Sequence, residues 1–519
     1  MERKDLPAIP QEQFKFTQLD EAIHDQKFET KSISYFQDAL TRFSKNKASV
    51  VAFWIIVIIV IFAIFGPLLS NYEMSFADGN YARCKPKLQI FDRNGSGFWD
   101  GSQTMKYNDN YFLYAAAIGM GANSKNSDDI VSWEQGMESP FQPIISYSEP
   151  YMGGGKRYRD ALVDSYYLVG FKYLTLRESE FEDLKKWEKE TGIQVLYPMV
   201  DMKSEYFYEG NSQDANYWFN HAPNGKPLDA NGKKMSLEDV QEKGLVPNYA
   251  HDADGNIKYY QPRGRSMKDV RVLYYNYFIY KNGFAPAYVF GADGQGYDIL
   301  VRMASGTRLS LILSVCVSFV NLTFGAIYGA IEGFYGGWVD MLLERIADII
   351  AGIPFLVTAT LFQLHLVQTG KVSTFVGLLF AFCLTGWIGT AYRVRTQFYR
   401  FKKQEYVLAA KTLGAKDRRL MFKHIFPNAI GTIITSSVLV IPGTIMSETS
   451  LAYLGIVNFN SKDMTSLGTL LGNGQGYLGT DPHILFFPAV IISLLMISFN
   501  LFGNGLRDAF NPSLRGADE

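Results

Sequence analysis

The residues of this chain whose types and spacing could do work form one run: Glu405-Tyr-Val-Leu-Ala409-Ala410-Lys-Thr-Leu413-Gly414-Ala-Lys-Asp-Arg418-Arg419-Leu-Met-Phe-Lys-His424-Ile-Phe-Pro427-Asn428. The work is mechanical rather than bond-making. Ala409 and Leu413 fall on one helical face, as do Ala410 and Gly414, and small residues there let another protein's backbone approach closely. Gly414 predicts a sharp break after a first short helix. A second helix is expected to run to about Phe426, where Pro427 opens the next element. The same pattern fits a basic amphipathic helix resting on anionic lipid, and from the residue types both readings stand.

Bond-making chemistry has few candidates. There is no Gly-x4-Gly-Lys-Ser/Thr phosphate loop, and Gly291-Ala-Asp-Gly294-Gln-Gly296 has the wrong glycine spacing for a dinucleotide fingerprint. No Cys/His cluster has zinc spacing, and no Ser/His/Asp set stands out. Asp92-Arg-Asn94-Gly-Ser96-Gly97 starts like a calcium loop, but position 12 is Gln103 rather than a bidentate glutamate. It reads as a turn, and Asp252-Ala-Asp254-Gly-Asn256 as a hairpin turn. Glu448 interrupts an otherwise apolar stretch, and a carboxylate there should face a partner or a wet cavity. Glu448, Ser450, Pro442 and Asn500 are the candidates for a pathway or gate. Glu344, Arg345 and Asp348 are expected to form a helix-end ion pair. Pro354, Pro442-Gly443 and Pro488 are candidate kinks.

The elements that must position these residues are membrane helices. The chain has 519 residues, with 50 Lys+Arg against 51 Asp+Glu, so nucleic acid is not an expected partner. The mean hydropathy of −0.04 hides a clustered distribution. Six charge-free windows exceed 20 residues: 48–72, 309–331, 349–370, 372–392, 424–447 and 482–506. Since about 20 apolar residues cross a bilayer as helix, a polytopic membrane protein with six transmembrane helices is expected. Residues 393–424 hold ten Lys/Arg against two acids. Lys/Arg excess marks the cytoplasmic face, and six spans put both termini on that face too. The three cysteines give no disulfide framework.

The resulting division is a cytoplasmic segment 1–48, a first span 49–71, a large outer insertion 72–288, a core 289–506 with the cytoplasmic loop 393–428, and a tail 507–519. The insertion holds 25 Lys/Arg and 29 Asp/Glu and is long enough for its own core. A capping-box spacing at Thr175–Glu178 precedes an expected helix 179–191 ended by Gly192. Ile193–Tyr197 reads as a strand, Asn224-Gly225 and Asn231-Gly232 as hairpin turns, and Ser236–Asp239 as a helix start. The fold class is therefore an all-α polytopic membrane protein with an inserted α+β extracellular domain.

The 405–428 run resembles the EAA loop of ABC-importer permeases: an Ala pair, three residues, a Gly, then a His-Ile-x-Pro-like end. Leu408 stands where the family usually has an acid, with Glu405 three residues earlier. The stretch Phe290-Gly-Ala-Asp293-Gly-Gln-Gly296-Tyr297-Asp298 is similar to the entry motif of C-type permeases of oligopeptide and dipeptide importers, with Ala292 and Tyr297 in place of Thr and Arg. Glu448-Thr-Ser-Leu-Ala-Tyr-Leu-Gly455 and Gly505-Leu-Arg507-Asp508-Ala-Phe-Asn-Pro512 add to the likeness, which covers the first span and 289–519 but not the insertion.

The resemblance implies a type I importer permease fold in a bacterial plasma membrane. It implies a non-catalytic subunit that couples through Glu405, Ala409, Ala410, Leu413, Gly414, Arg418, Arg419, His424 and Pro427 to two separate ATPase subunits, which bind ATP-Mg. A second related permease, an extracellular peptide-binding lipoprotein and a peptide cargo would complete the system, with no cofactor or metal on this chain. The competing expectation is a membrane-anchored receptor ectodomain without transport. A secondary transporter would need inverted repeats and charged relays, and neither is visible.

Overall fold

The computed structural model describes residues 35–91, 96–208, 214–459 and 464–510. The expected calcium-like turn lies largely outside them at 92–95, as do residues 1–34 of the amino-terminal segment and the tail from 511.

Helix α1 (Tyr35–Lys45), which the sequence reading left as a polar segment, packs on the last helix of the chain through Phe43 and Phe502, ring centres 5.5 Å apart. α2 (Lys47–Phe65) follows. Its N-cap Asn46 accepts from the Ser49 amide at 3.3 Å, and Gly66-Pro67 turns it into a short 3-10 segment.

Two four-stranded antiparallel sheets make the inserted region. The first contains β1 (Ser102–Asn108), β2 (Ile144–Tyr147), β3 (Tyr151–Gly153) and β4 (Lys156–Asp164), with β4 pairing to the other three. α3 (Asp109–Ala122) and α4 (Trp133–Met137) separate β1 from β2. α3 is Ala-rich and buried on nearly every face, among Trp218, Phe219, Ala161 and Phe171. The second sheet has β5 (Phe171–Arg177), β6 (Leu196–Tyr197), β7 (Tyr260–Arg263) and β8 (Met267–Leu273), with β8 again the shared strand. α5 (Glu178–Thr191) covers it, with Phe181 and Leu184 on Val270 and Val272. α6 is Leu237–Lys243 and α7 Tyr274–Asn282.

The expected helix 179–191 is present as α5, one residue longer at its start, but the capping box expected from Thr175 is corrected. Thr175 lies in β5 opposite Asp269, because the ladder to β8 continues to Arg177. The Glu180 side chain instead accepts from the Arg177 amide at 2.9 Å. The expected strand 193–197 shrinks to two residues, since the Val195 and Leu196 amides turn to the Glu188 carboxylate rather than to a ladder. The Gly192 stop, the Ser236/Asp239 capping box and the turns at Gly225, Gly232 and Gly255 stand as read.

The carboxyl-terminal part is helical: α8 (Ile299–Tyr335), α9 (Gly337–Ala351), α10 (Phe355–Phe362), α11 (Thr374–Thr385), α12 (Ile388–Phe401), α13 (Glu405–Thr412), α14 (Asp417–Arg419), α15 (Phe426–Val438), α16 (Val440–Tyr453), α17 (Leu467–Gly474) and α18 (His483–Ala509). Among the described residues, four runs are long and apolar enough to cross a membrane: 47–69, 299–335, 374–401 and 483–509. Two bent pairs raise this to six if each is one span: Gly337–Ala351 with Phe355–Val367, bent by 69°, and Asp417–Thr435 with Val440–Tyr453, bent by 41°. The third apolar window is therefore no straight helix. It breaks at Gly352–Pro354, because the residue before a proline is pushed out of the helical region and Pro354 begins α10 as its N-cap.

α8 and α12 touch backbone to backbone. A Cβ on Gly325, Gly329 or Gly333 would lie 2.6, 2.1 and 2.7 Å from the carbonyl oxygens of Trp387, Ala391 and Arg395. Small residues every fourth position are what packs helices in lipid, where burial of apolar area supplies no net drive.

The inserted region has a buried ion pair, Lys87 Nζ–Asp164 Oδ2 at 3.1 Å, 1% and 0% exposed, with the ammonium over the Tyr166 ring. Removing one partner strands a buried charge. Asp164→Ala should destabilise the inserted region by about 3–5 kcal/mol, while Lys87→Met with Asp164→Asn, which keeps an acceptor for the Tyr166 amide, should restore most of the loss; thermal unfolding followed by limited proteolysis checks both.

Candidate functional site

The 405–428 run folds as a hairpin held to the helix bundle by its apolar side. α13 starts after Gln404, and its buried Val407 joins Leu420, Met421 and Ile425 in a cluster with Ala326, Ala330, Val394 and Phe398 of α8 and α12. Gly414 has φ +84°, a conformation that costs a β-carbon-bearing residue roughly 1–2 kcal/mol, and it turns the chain toward α14. The second helix does not end at Phe426 as expected. α14, a π-helical segment Leu420–Ile425 and α15 follow one another without a break. A proline ring clashes with the carbonyl four residues earlier, and the wider π turn preceding Pro427 gives it room.

The outward side of the hairpin is apolar and bare. Leu413 is 88% exposed and Leu408 51%, with Tyr406 and Phe422 also exposed. Ala409 and Glu405 lie on this surface too, whereas Ala410 is half-buried against the bundle. The expected pairing of Ala410 with Gly414 on one open face is thus split: no atom lies within 4 Å of a Cβ built on Gly414. Arg418 and Arg419 are exposed with Lys416, Phe422, Lys423 and Pro427 around a shallow basic recess. His424 is half-buried, its carbonyl accepting from the Asn428 amide at 2.8 Å.

Just ahead of the hairpin, side chains tie α12 to α9 and to the end of α8. Arg395 forks onto two carboxylates, reaching Asp340 at 2.6 and 2.9 Å and Glu344 at 2.8 and 3.0 Å. The Tyr399 hydroxyl donates to Asp340 as well. Lys402 donates to the Gly333 and Phe334 carbonyls at the end of α8, at 2.8 and 3.3 Å. Burial holds the Lys402 ammonium below the usual lysine pKa, with Asp340 opposing the shift and Lys403 and Lys411 adding to it. Acids at 340 and 344, one helical turn apart, were the available signal. The expected ion pair is present between Arg345 and Asp348 at 3.3 Å, but Glu344 belongs to Arg395 instead.

The pathway candidates are dispersed. Glu448 is fully buried; Ser466 Oγ donates to Oε1, and Ser310 Oγ donates to Oε2 at 3.2 Å. Ser466 is also the N-cap of α17, accepting from the Thr469 amide at 3.1 Å. The carboxylate thus joins α16 to α8 and to the start of α17. Pro442 is buried in α16 just past the 41° bend. Ser450 and Asn500 are exposed, each donating to the carbonyl four residues earlier. Among the described residues no group of three or more His, Cys, Asp or Glu side chains could hold a metal ion.

At the opposite end of α8, the entry stretch is tied to the inserted region. Asp298 caps α8, accepting from the Leu300 amide at 2.9 Å and from the Ser70 hydroxyl at 2.5 Å. Lys85 pairs with Asp481 at 2.7 Å, just ahead of α18. Tyr72, Tyr81, Tyr166, Tyr274 and Tyr288 fill the junction between the two parts.

Residues 302–516 match the family described as the binding-protein-dependent transport system inner membrane component, and residues 34–86 match the N-terminal transmembrane domain of oligopeptide transport permease C. The oligopeptide transport system permease protein OppC of Bacillus subtilis (strain 168) is 42% identical over 226 residues, which cover 44% of this chain and 72% of that protein. The dipeptide transport system permease protein DppC of Lactococcus lactis subsp. cremoris (strain MG1363) is 39% identical over 226 residues, covering 43% and 64%. Among solved structures, the inward-facing MetNI methionine ABC transporter aligns over 40% of this chain and 96% of that one, at 14% identity and a TM-score of 0.34.

The Glu448 geometry generates a stability expectation. Glu448→Ala leaves two buried hydroxyls without their acceptor, at a cost of about 1–3 kcal/mol, and Glu448→Gln should cost less because the amide oxygen still accepts one of them. Thermal unfolding of the detergent-purified chain measures the order; equal stabilities for all three forms would remove the role assigned to this contact.

Proposed function

Because this chain belongs to the binding-protein-dependent transport inner membrane components, we propose that it is the transmembrane permease subunit of an ATP-driven importer of oligopeptides or dipeptides. It is non-catalytic, and ATP hydrolysis lies in partner subunits. The observation that carries the mechanism is the hairpin at 405–428: an exposed apolar face, Leu408 and Leu413, on a body packed against α8 and α12 and continuous with α15. Exposed apolar patches mark docking sites. A helix resting on lipid has no energy source, whereas a docked hydrolase can supply the ~5.5 kcal/mol that shifts a two-state gate from 1:99 to 99:1.

In this reading two ATPases, with ATP-Mg bound to them, seat against the hairpins of this chain and of a second related permease. Glu405, Ala409, Leu413, Gly414, Arg418 and Arg419 form the contact, while Ala410, His424 and Pro427 shape it from behind. Each bent pair counts as one span, giving six. The basic 393–428 loop and both termini lie in the cytoplasm of a bacterium, and the two-sheet domain stands outside, beside the entrance, where an extracellular lipoprotein delivers peptide. Ser450 and Asn500, exposed on their helices, are the candidates to line the pathway. Glu448 and Pro442 act inside the bundle, on the gate's framework. A receptor without transport gains nothing from any of the matches.

Leu408→Glu with Leu413→Glu changes only exposed side chains. The variant should reach the membrane at normal levels, lose co-purifying ATPase and lose peptide uptake at least about tenfold, a barrier change of ~1.4 kcal/mol or more. Normal uptake would sink the coupling role. Topology has a separate readout: an impermeant maleimide should label Met152→Cys in intact cells, and Leu413→Cys only after permeabilisation.

A further inference from the structure

We infer that the outer domain plants an aromatic foot in the outer surface of the bilayer beside α18, so that lipid is a binding partner of the insertion as well as of the spans. The inference rests on the reading of α18 as a membrane span. A continuous series of rings joins the two parts. Phe91 lies 6.1 Å from Phe98, Phe98 4.7 Å from Trp99, Trp99 5.9 Å from Phe487, and Phe487 stacks on Phe290 at 4.4 Å and meets Phe486 at 5.6 Å. The Trp99 indole N–H donates to the Val289 carbonyl, which fixes the series to the entry stretch before α8.

The free ends of this series face outward. Ile90 is 89% exposed, Phe98 60% and Phe486 59%, an arrangement a water-facing domain has no reason to keep. The depth along α18 says what covers them. Its 27 residues span about 40 Å at 1.5 Å per residue, some 10 Å more than the ~30 Å hydrocarbon core. Each end therefore projects roughly 5 Å into the head-group layer. Phe486, three residues from the α18 start, falls at that boundary, where aromatic side chains concentrate in membrane proteins. Phe98 is joined to Phe487, the neighbour of Phe486, through Trp99 by steps of 4.7 and 5.9 Å. Lys85 and Asp481 close the polar side directly before the helix.

The test uses the full-length chain with Cys84, Cys316 and Cys383 replaced by alanine, in phosphatidylcholine nanodiscs. Phe98→Cys carries a nitrobenzoxadiazole label. Lipid with a doxyl group high on the acyl chain should quench it at least about twofold, as expected for a group seated in the head-group boundary, and lipid with doxyl near the acyl terminus should quench it less. The same label on Ile497→Cys, exposed in the middle of α18, should show the opposite order. Quenching at Ile497 without quenching at Phe98 overturns the foot and leaves the span reading intact. Loss of quenching at both positions overturns the span and the foot together. A Phe98 label that lipid never quenches, but that becomes shielded when the partner permease is added, assigns the patch to protein contact and overturns the inference as well.

Discussion

The arrangement depends on the backbone contact between α8 and α12. Between two apolar helices in lipid, burying side chains brings little net gain, so association comes from close packing and hydrogen bonds. Gly325, Gly329 and Gly333 remove the side chains that would hold the helices apart. That closeness brings Arg395 within reach of Asp340 and Glu344, and Lys402 within reach of the α8 terminus. The hairpin grows out of this helix pair, packed on it through Val407, Leu420 and Ile425 and continuous with α15.

The inserted region is packed by the rules of a water-soluble protein. It has its own apolar interior around α3 and Trp218, with the indole N–H satisfied by the Ala117 carbonyl at 2.8 Å. Arg271 is completely buried, lies 3.8 Å over the Phe171 ring and donates to the Ala215 and Pro198 carbonyls. The junction toward the helices is built differently, from packed tyrosine rings, three of whose hydroxyls find partners: Tyr166 donates to the Lys85 carbonyl at 2.9 Å, Tyr72 accepts from the Ala287 amide at 3.1 Å, and Tyr274 donates to the Asp78 carboxylate at 2.7 Å. Such rings are apolar in body and polar at the tip, which suits a surface between a wet domain and an oily bundle.

What the sequence made legible was whatever depends on local composition. Four of the six charge-free windows lie on long apolar helices and two on bent pairs, Gly414 and Gly192 end their helices, and Ser236 starts α6. Contacts between distant residues were not legible. The Arg395 fork joins positions more than fifty residues apart, and the Lys87–Asp164 pair joins a loop residue to the end of β4, 77 positions later. Thr175 was misplaced because a cap spacing is a local signal that strand pairing with β8 overrides. Of the candidate site residues, Leu413 and Gly414 lie where the pattern put them. Ala410 does not, because helical periodicity gives a face but not which neighbour covers it.

The buried Glu448 bears on how the chain is made. A carboxylate entering the bilayer centre costs about 2.5–3.5 kcal/mol on insertion scales. Synthesis proceeds from the amino terminus, so Ser310 on α8 is already in place when α16 arrives, but Ser466 follows eighteen residues later. Until then the Glu448 carboxylate has one of its two hydroxyl partners, Ser310 on α8. The link from α16 to α8 can therefore form before the link to α17, and the set is complete only once Ser466 has been made.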